Sequence, residues 1–100
     1  MILKTFTKQP ADVKDYDVRY ADWLGEMTDT LTSVATPVVT CLTDSADTAL
    51  VVDSTSVTSD TLKLWMSGGT AGATYKVSFV VTTAGGREDQ SELKFNVRDY

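Results

Sequence analysis

Two carboxylate pairs, Asp15-Tyr16-Asp17 and Asp44-Ser45-Ala46-Asp47, are where oxygen ligands or acid–base groups cluster in this sequence. Calcium is the ion such loops would take, yet it asks for about six to eight oxygens. Neither stretch has the glycine-bearing, aspartate-rich loop with a closing glutamate that supplies them, so turn and capping duty is the expectation for both. A carboxylate pair for glycoside hydrolysis needs a cleft between its two groups, which a thin core leaves little room to build. Ser67-Gly68-Gly69 lacks the Gly-x-Ser-x-Gly pattern of a nucleophile elbow, and there is no histidine to activate a serine. The run Gly68-Gly69-Thr70-Ala71-Gly72 lacks the lysine and the following helix of a phosphate loop. With no histidine and a single cysteine, the commonest metal ligands, the usual general base near neutral pH and any intrachain disulfide are missing. The expectation is a protein that is not an enzyme and holds no metal.

What remains is the chemistry of docking. Trp65 and Lys63 stand out because they alternate with Leu62, Leu64 and Met66, so a register that buries those three turns Trp65 and Lys63 to the opposite face. An exposed tryptophan on a sheet is the kind of anchor that dominates binding at interfaces; the competing readings are a ring covering the edge of the sandwich and a slipped register in which Trp65 is core. Trp23, in Asp22-Trp23-Leu24, ends an early alternating run and is expected as a large aromatic between sheets. Cys41, in the apolar run Val38-Val39-Thr40-Cys41-Leu42, reads as a small core hydrophobe.

The elements that must position these side chains are strands. Tyr75, Val77, Phe79 and Val81 alternate with Lys76, Ser78, Val80 and Thr82, and Leu93, Phe95 and Val97 alternate with Glu92, Lys94, Asn96 and Arg98. These patterns are those of half-buried antiparallel strands. Less regular runs lie at 16–24, 30–35, 38–42 and 49–52, and no window carries a helical stripe. Turn residues cluster at 43–47 and 53–56, a glycine-rich corner covers 67–72, and Ala84-Gly85-Gly86-Arg87 reads as a hairpin loop. About seven short strands in a chain of this length suggest one all-β domain, an immunoglobulin-like antiparallel β-sandwich over residues 1–100, with 1–10 a short amino-terminal arm. The turn 69–74 leads into a strand whose first core position is Tyr75, the placement of a tyrosine corner, where the hydroxyl caps upstream backbone. An open sandwich also has strand edges that must be blunted or used for pairing.

The chain of 100 residues is 42% hydrophobic and 23% charged, too apolar for wholesale disorder. Its net charge is −5, and no Lys or Arg lies between Tyr20 and Leu62, where Asp22, Glu26, Asp29, Asp44, Asp47, Asp53 and Asp60 all fall. There is no basic stripe for nucleic acid. The acidic middle is either a solvated face or a surface for a basic patch on a protein partner. Lysines interrupt Met1-Ile2-Leu3-Lys4-Thr5-Phe6-Thr7-Lys8 where the apolar run of an export signal would lie. No segment approaches the ~18 apolar residues of a membrane span. The expectation is a chain made in a reducing cytosol and staying there until something carries it elsewhere.

In order, the landmarks are Lys8-Gln9-Pro10-Ala11-Asp12, Asp15-Tyr16, Asp22-Trp23-Leu24, Asp29-Thr30-Leu31, Ser67-Gly68-Gly69-Thr70-Ala71-Gly72, Tyr75-Lys76-Val77 and Thr82-Thr83-Ala84-Gly85-Gly86-Arg87. From Lys8 to Asp99 the chain resembles the small immunoglobulin-like virion proteins of tailed bacteriophages and prophages known as phage fibre-tail adaptor proteins. The most specific stretches are Asp22-Trp23-Leu24 and Ser67 to Tyr75, and the hairpin departs from the family pattern by an additional glycine before Arg87. The resemblance implies a structural virion component that folds in the bacterial host cytoplasm and joins the tail or portal region to fibre proteins. It implies no cofactor, and assembly on a symmetric tail suggests a homo-oligomeric ring. Lys63, Trp65, Gly68, Gly69, Arg87 and Glu88 are the candidate interface residues. The alternative is a carbohydrate-binding or adhesive module that touches the host surface.

Overall fold

A computed structural model describes residues 2–99. Eight strands and one short helix follow in order: β1 (Ile2–Lys8), β2 (Lys14–Arg19), α1 (Ala21–Met27), β3 (Leu31–Val34), β4 (Val38–Cys41), β5 (Leu50–Val57), β6 (Thr61–Gly68), β7 (Thr74–Thr83) and β8 (Glu88–Val97). They form two packed sheets. One has five strands in the order β1-β8-β7-β3, with β4 also pairing β7, and the other is β2-β6-β5.

The alternating runs become the central strands for the reason the pattern implies: a period of two sends every second side chain into the gap between sheets. Leu62, Leu64 and Met66 of β6 meet Tyr75, Val77 and Val81 of β7 and Phe95 and Val97 of β8 there, all fully buried. Burying each large side chain is worth about 1.5–3 kcal/mol. Between the sheets the rings of Phe6, Tyr16 and Phe95 form a cluster, with centroids 4.7, 5.4 and 5.0 Å apart. Cys41 is buried, as the apolar run around it implies.

Several expectations are corrected. The strand run expected over 16–24 stops at Arg19, and Ala21–Met27 is a helix that carries the chain from one sheet to the other. Alanine, leucine, glutamate and methionine favour helix once the alternation ends, and so short a helix is stable only through packing, here through Leu24 at 2% exposure. Thr28 closes it in the left-handed region at φ 51°. Trp23 therefore rides on this helix, half-buried against Tyr20 at a ring distance of 5.9 Å, and does not sit between the sheets.

The turn expected at 53–56 is instead inside β5, where pairing with β6 overrides local turn propensity and leaves a bulge between Val52 and Ser54. The turn falls at 58–60, closed by the Thr58 N–H donating to Thr61 O at 2.9 Å. Within the stretch expected as an arm, Ile2–Lys8 is β1, and it runs parallel to β8, so the pairing is not antiparallel throughout.

Candidate functional site

Alternation along β6 turns Trp65 and Lys63 to the outer face of the three-stranded sheet. Register sets Asp15 of β2 and Ser54 of β5 on either side of Trp65, and Asp17 and Ser56 on either side of Lys63. Trp65 is 39% exposed, which excludes a core position. The Lys63 ammonium lies 3.1 Å from the Asp15 carboxylate. That hydrogen bond, helped by the charge of Asp17, raises the Lys63 pKa, and the same contact lowers that of Asp15. Both partners stay half in water, so the pair can be exchanged for another at little cost. Val13 and Val51 are also exposed, and Ser67 donates to Asp53 at 2.9 Å beside them. Across this face a single aromatic plate lies among short polar groups and carboxylates.

Gly68 and Gly69 lie at the end of β6, with φ of 74° and 105°. A β-carbon on Gly68 would collide with the Ala49 carbonyl, and one on Gly69 would come within 2.8 Å of a Val97 methyl. Close approach to the Ala49 backbone requires glycine at Gly68, and the left-handed backbone favours it at Gly69, where the neighbour is a side chain. The neighbouring turn is locked by Tyr75, whose hydroxyl accepts the Thr70 N–H at 2.8 Å. The expected tyrosine corner is therefore formed. The Asp47 carboxylate takes the Ala49 amide at 2.9 Å. Together with hydrogen bonds from Thr70 and Tyr75, that bond holds its pKa below the ordinary value.

Arg87 and Glu88 lie at the opposite end, where 84–87 is a hairpin with Gly86 at φ 85°. The Arg87 guanidinium is engaged within the chain, 2.9 Å from Asp29. Asp29 also accepts the amides of Thr30 at 2.9 Å and Gly85 at 3.0 Å. The Thr83 hydroxyl, then these amides, then Arg87 hold Asp29 down to about 2. The six candidates are thus divided among one face and two ends of a molecule 42 Å long. Glu88 is exposed.

The sequence marks Asp29 as part of the acidic middle and Lys8 as a landmark, and neither as a structural latch. Lys8 is 1% exposed. A lysine in line with the core-facing positions of β1 was the available signal. Of the carboxylate pairs, Asp44 and Asp47 cap their own loop by accepting the Ala46 and Ala49 amides. Among the described residues no three acidic or cysteine side chains converge into a metal-binding group. The side chains of Asp22 and Glu26, part of the acidic middle, lie outside the described residues. No described helix is long and apolar enough to cross a membrane.

A family model described as podophage GP4 fiber-tail adaptor protein gp77 matches residues 8–96. No curated protein matches the chain.

Proposed function

The chain belongs to the podophage fibre-tail adaptor family, and from that premise we propose that it is a non-enzymatic structural protein of a phage particle, linking the tail or portal region to fibre proteins. The observation that carries this reading is the match over residues 8–96, which takes in both sheets. The rigid sandwich supports it by presenting Trp65 and Lys63 on an open face and Gly68, Gly69, Arg87 and Glu88 at its ends. On a symmetric tail several copies would stand around the axis, each contacting its neighbour through unlike surfaces. Folding takes place in the host cytoplasm before the chain joins the particle.

The test is to tag the chain in an infected host, purify particles and crosslink them. Recovery in the particle, joined to a tail, portal or fibre protein, is the expected result. Absence from particles, or a chain that binds glycans on an array and no virion protein, overturns the reading.

A further inference from the structure

The sandwich has two open seams, and they differ in chemistry. On one side β1 faces β2 across a hollow lined by Lys4, Asp17 and Arg19 together with Phe6, Val18 and Leu93. Charges on edge strands are a standard means of preventing another strand from pairing there. On the other side β3 and β4 face β5 across a groove of about 390 Å³, walled by Val34, Pro37, Val39, Leu50, Val52 and Thr55. Neither β3 nor β4 contains a charged residue, and β5 contains only Asp53. That carboxylate takes a hydrogen bond from Ser67 on the outer face, which draws it back over its own sheet.

Both walls of this groove are strand edges. β5 pairs only with β6, and β3 and β4 only with β7, so among the described residues each has one side without a strand partner. The two sheets are stitched at one end, where the Leu31 N–H donates to Ser59 O at 2.8 Å. Beyond that contact the chain breaks between β3 and β4 at Ala35-Thr36-Pro37, and the Ala35 N–H donates back to Val80 O at 2.9 Å. Electrostatics select the occupant. The walls derive wholly from the stretch between Tyr20 and Leu62 that has no Lys or Arg, with Asp44 and Asp47 in the loop at one end and Asp60 in the turn at the other.

We infer that this groove receives an extended segment of another virion protein by strand addition to β5, a segment with alternating apolar residues and Lys or Arg near its ends. The main chain of the incoming strand pairs with the bare edge of β5. Its alternate side chains fill the hollow, and its basic groups meet the aspartates at the ends of the groove. The inference rests on the adaptor reading and specifies how one partner is held.

The probe is the fibre or tail protein crosslinked to the chain in particles, produced separately and mixed with the full-length chain. Amide hydrogen exchange in Leu50–Val57 is expected to slow about tenfold or more. A photo-crosslinker at Thr55 is expected to map to one extended, Lys- or Arg-bearing segment of that protein. The variant T55K is expected to weaken binding about tenfold or more, while lysines at Thr5 and Thr7 on the far sheet leave it unchanged. If T55K fails to fold, exchange on the unaltered chain decides the matter. Binding with β5 unprotected, or protection confined to the β1–β2 seam or to the Trp65 face, overturns the inference and leaves the adaptor reading standing. Protection that grows with the concentration of the chain alone assigns the groove to a second copy and overturns it too. A chain that binds no virion protein overturns both.

Discussion

The Lys8 ammonium donates to the Gly68 carbonyl across 2.6 Å and so joins the end of β1 in one sheet to the end of β6 in the other. It also donates to its neighbour's carbonyl, Gln9 O, at 2.9 Å. Burial lowers its pKa below 10.5, with the charge of Asp12 pulling the other way. Replacing Lys8 with alanine removes the packed stem and strips two carbonyls of a charged donor. The variant is expected to lose about 2–4 kcal/mol in a urea titration. A loss within ±0.5 kcal/mol, the range of an ordinary surface change, would show that the contact does not hold the sheets.

Gly68 is tested by comparison with Gly86. Both have positive φ, but a β-carbon on Gly86 meets nothing within 4 Å, whereas one on Gly68 strikes Ala49. Gly86→Ala is expected to cost about 1–2 kcal/mol for the left-handed backbone alone. Gly68→Ala carries the same cost and also displaces the bond from the Gly69 N–H to Ala49 O, so its loss should be the larger. Equal losses in parallel denaturation curves would contradict the close approach.

Two tyrosines make different predictions. Tyr75→Phe takes the acceptor from the Thr70 amide and should cost about 1–3 kcal/mol. The Tyr20 hydroxyl is buried beside Ser91, whose own proton goes to Asp89 at 2.6 Å, so it is poorly satisfied and Tyr20→Phe should change stability by about 1 kcal/mol or less. Burial, with the nearby Asp89 charge, pushes the Tyr20 phenol up to about 12 from 10.0. A raised folded value keeps its contribution whole below pH 10 and loses it as the pH climbs toward 12. Tyr20→Phe should flatten that alkaline decline.

Asp29 governs the acid side. Its folded value of about 2 lies below the ordinary 3.8, so its contribution is present above 3.8 and is lost as the pH falls through about 2. Thermal denaturation between these limits should show the loss in the native chain and a weaker slope in Asp29→Asn. An unchanged slope would mean that the hairpin at 84–87 is not latched by this carboxylate.

Trp65→Ala separates docking from folding. Because the ring is 39% exposed, its loss should change stability by about 1 kcal/mol or less while weakening partner binding by about 2 kcal/mol or more. Calorimetry with the recovered virion protein reads the second number, and a variant that unfolds would assign the ring to the fold.

The central strands were legible because alternation is a local property. Leu62, Leu64 and Met66 bury, so Trp65 must emerge, whatever the rest of the chain does. The tyrosine corner was legible for the same reason, since glycine turn and tyrosine lie within one short stretch. Asp53-Ser54-Thr55-Ser56 misleads because its residues favour turns in isolation, and only the strand beside it makes it extended. The helix at Ala21–Met27 is too short to show a stripe, and its stability depends on the core that Leu24 enters.

Period-two alternation and turn residues determined by themselves that this is an all-β sandwich. They act over a few residues, and local sterics and solvation suffice to read them. Which strands become edges, that β1 joins β8 in parallel, that Lys8 bonds to Gly68, and that β3, β4 and β5 enclose a groove were decided by the tertiary structure alone. Those contacts join residues far apart in the chain, and the order in which strands assemble into sheets determines them.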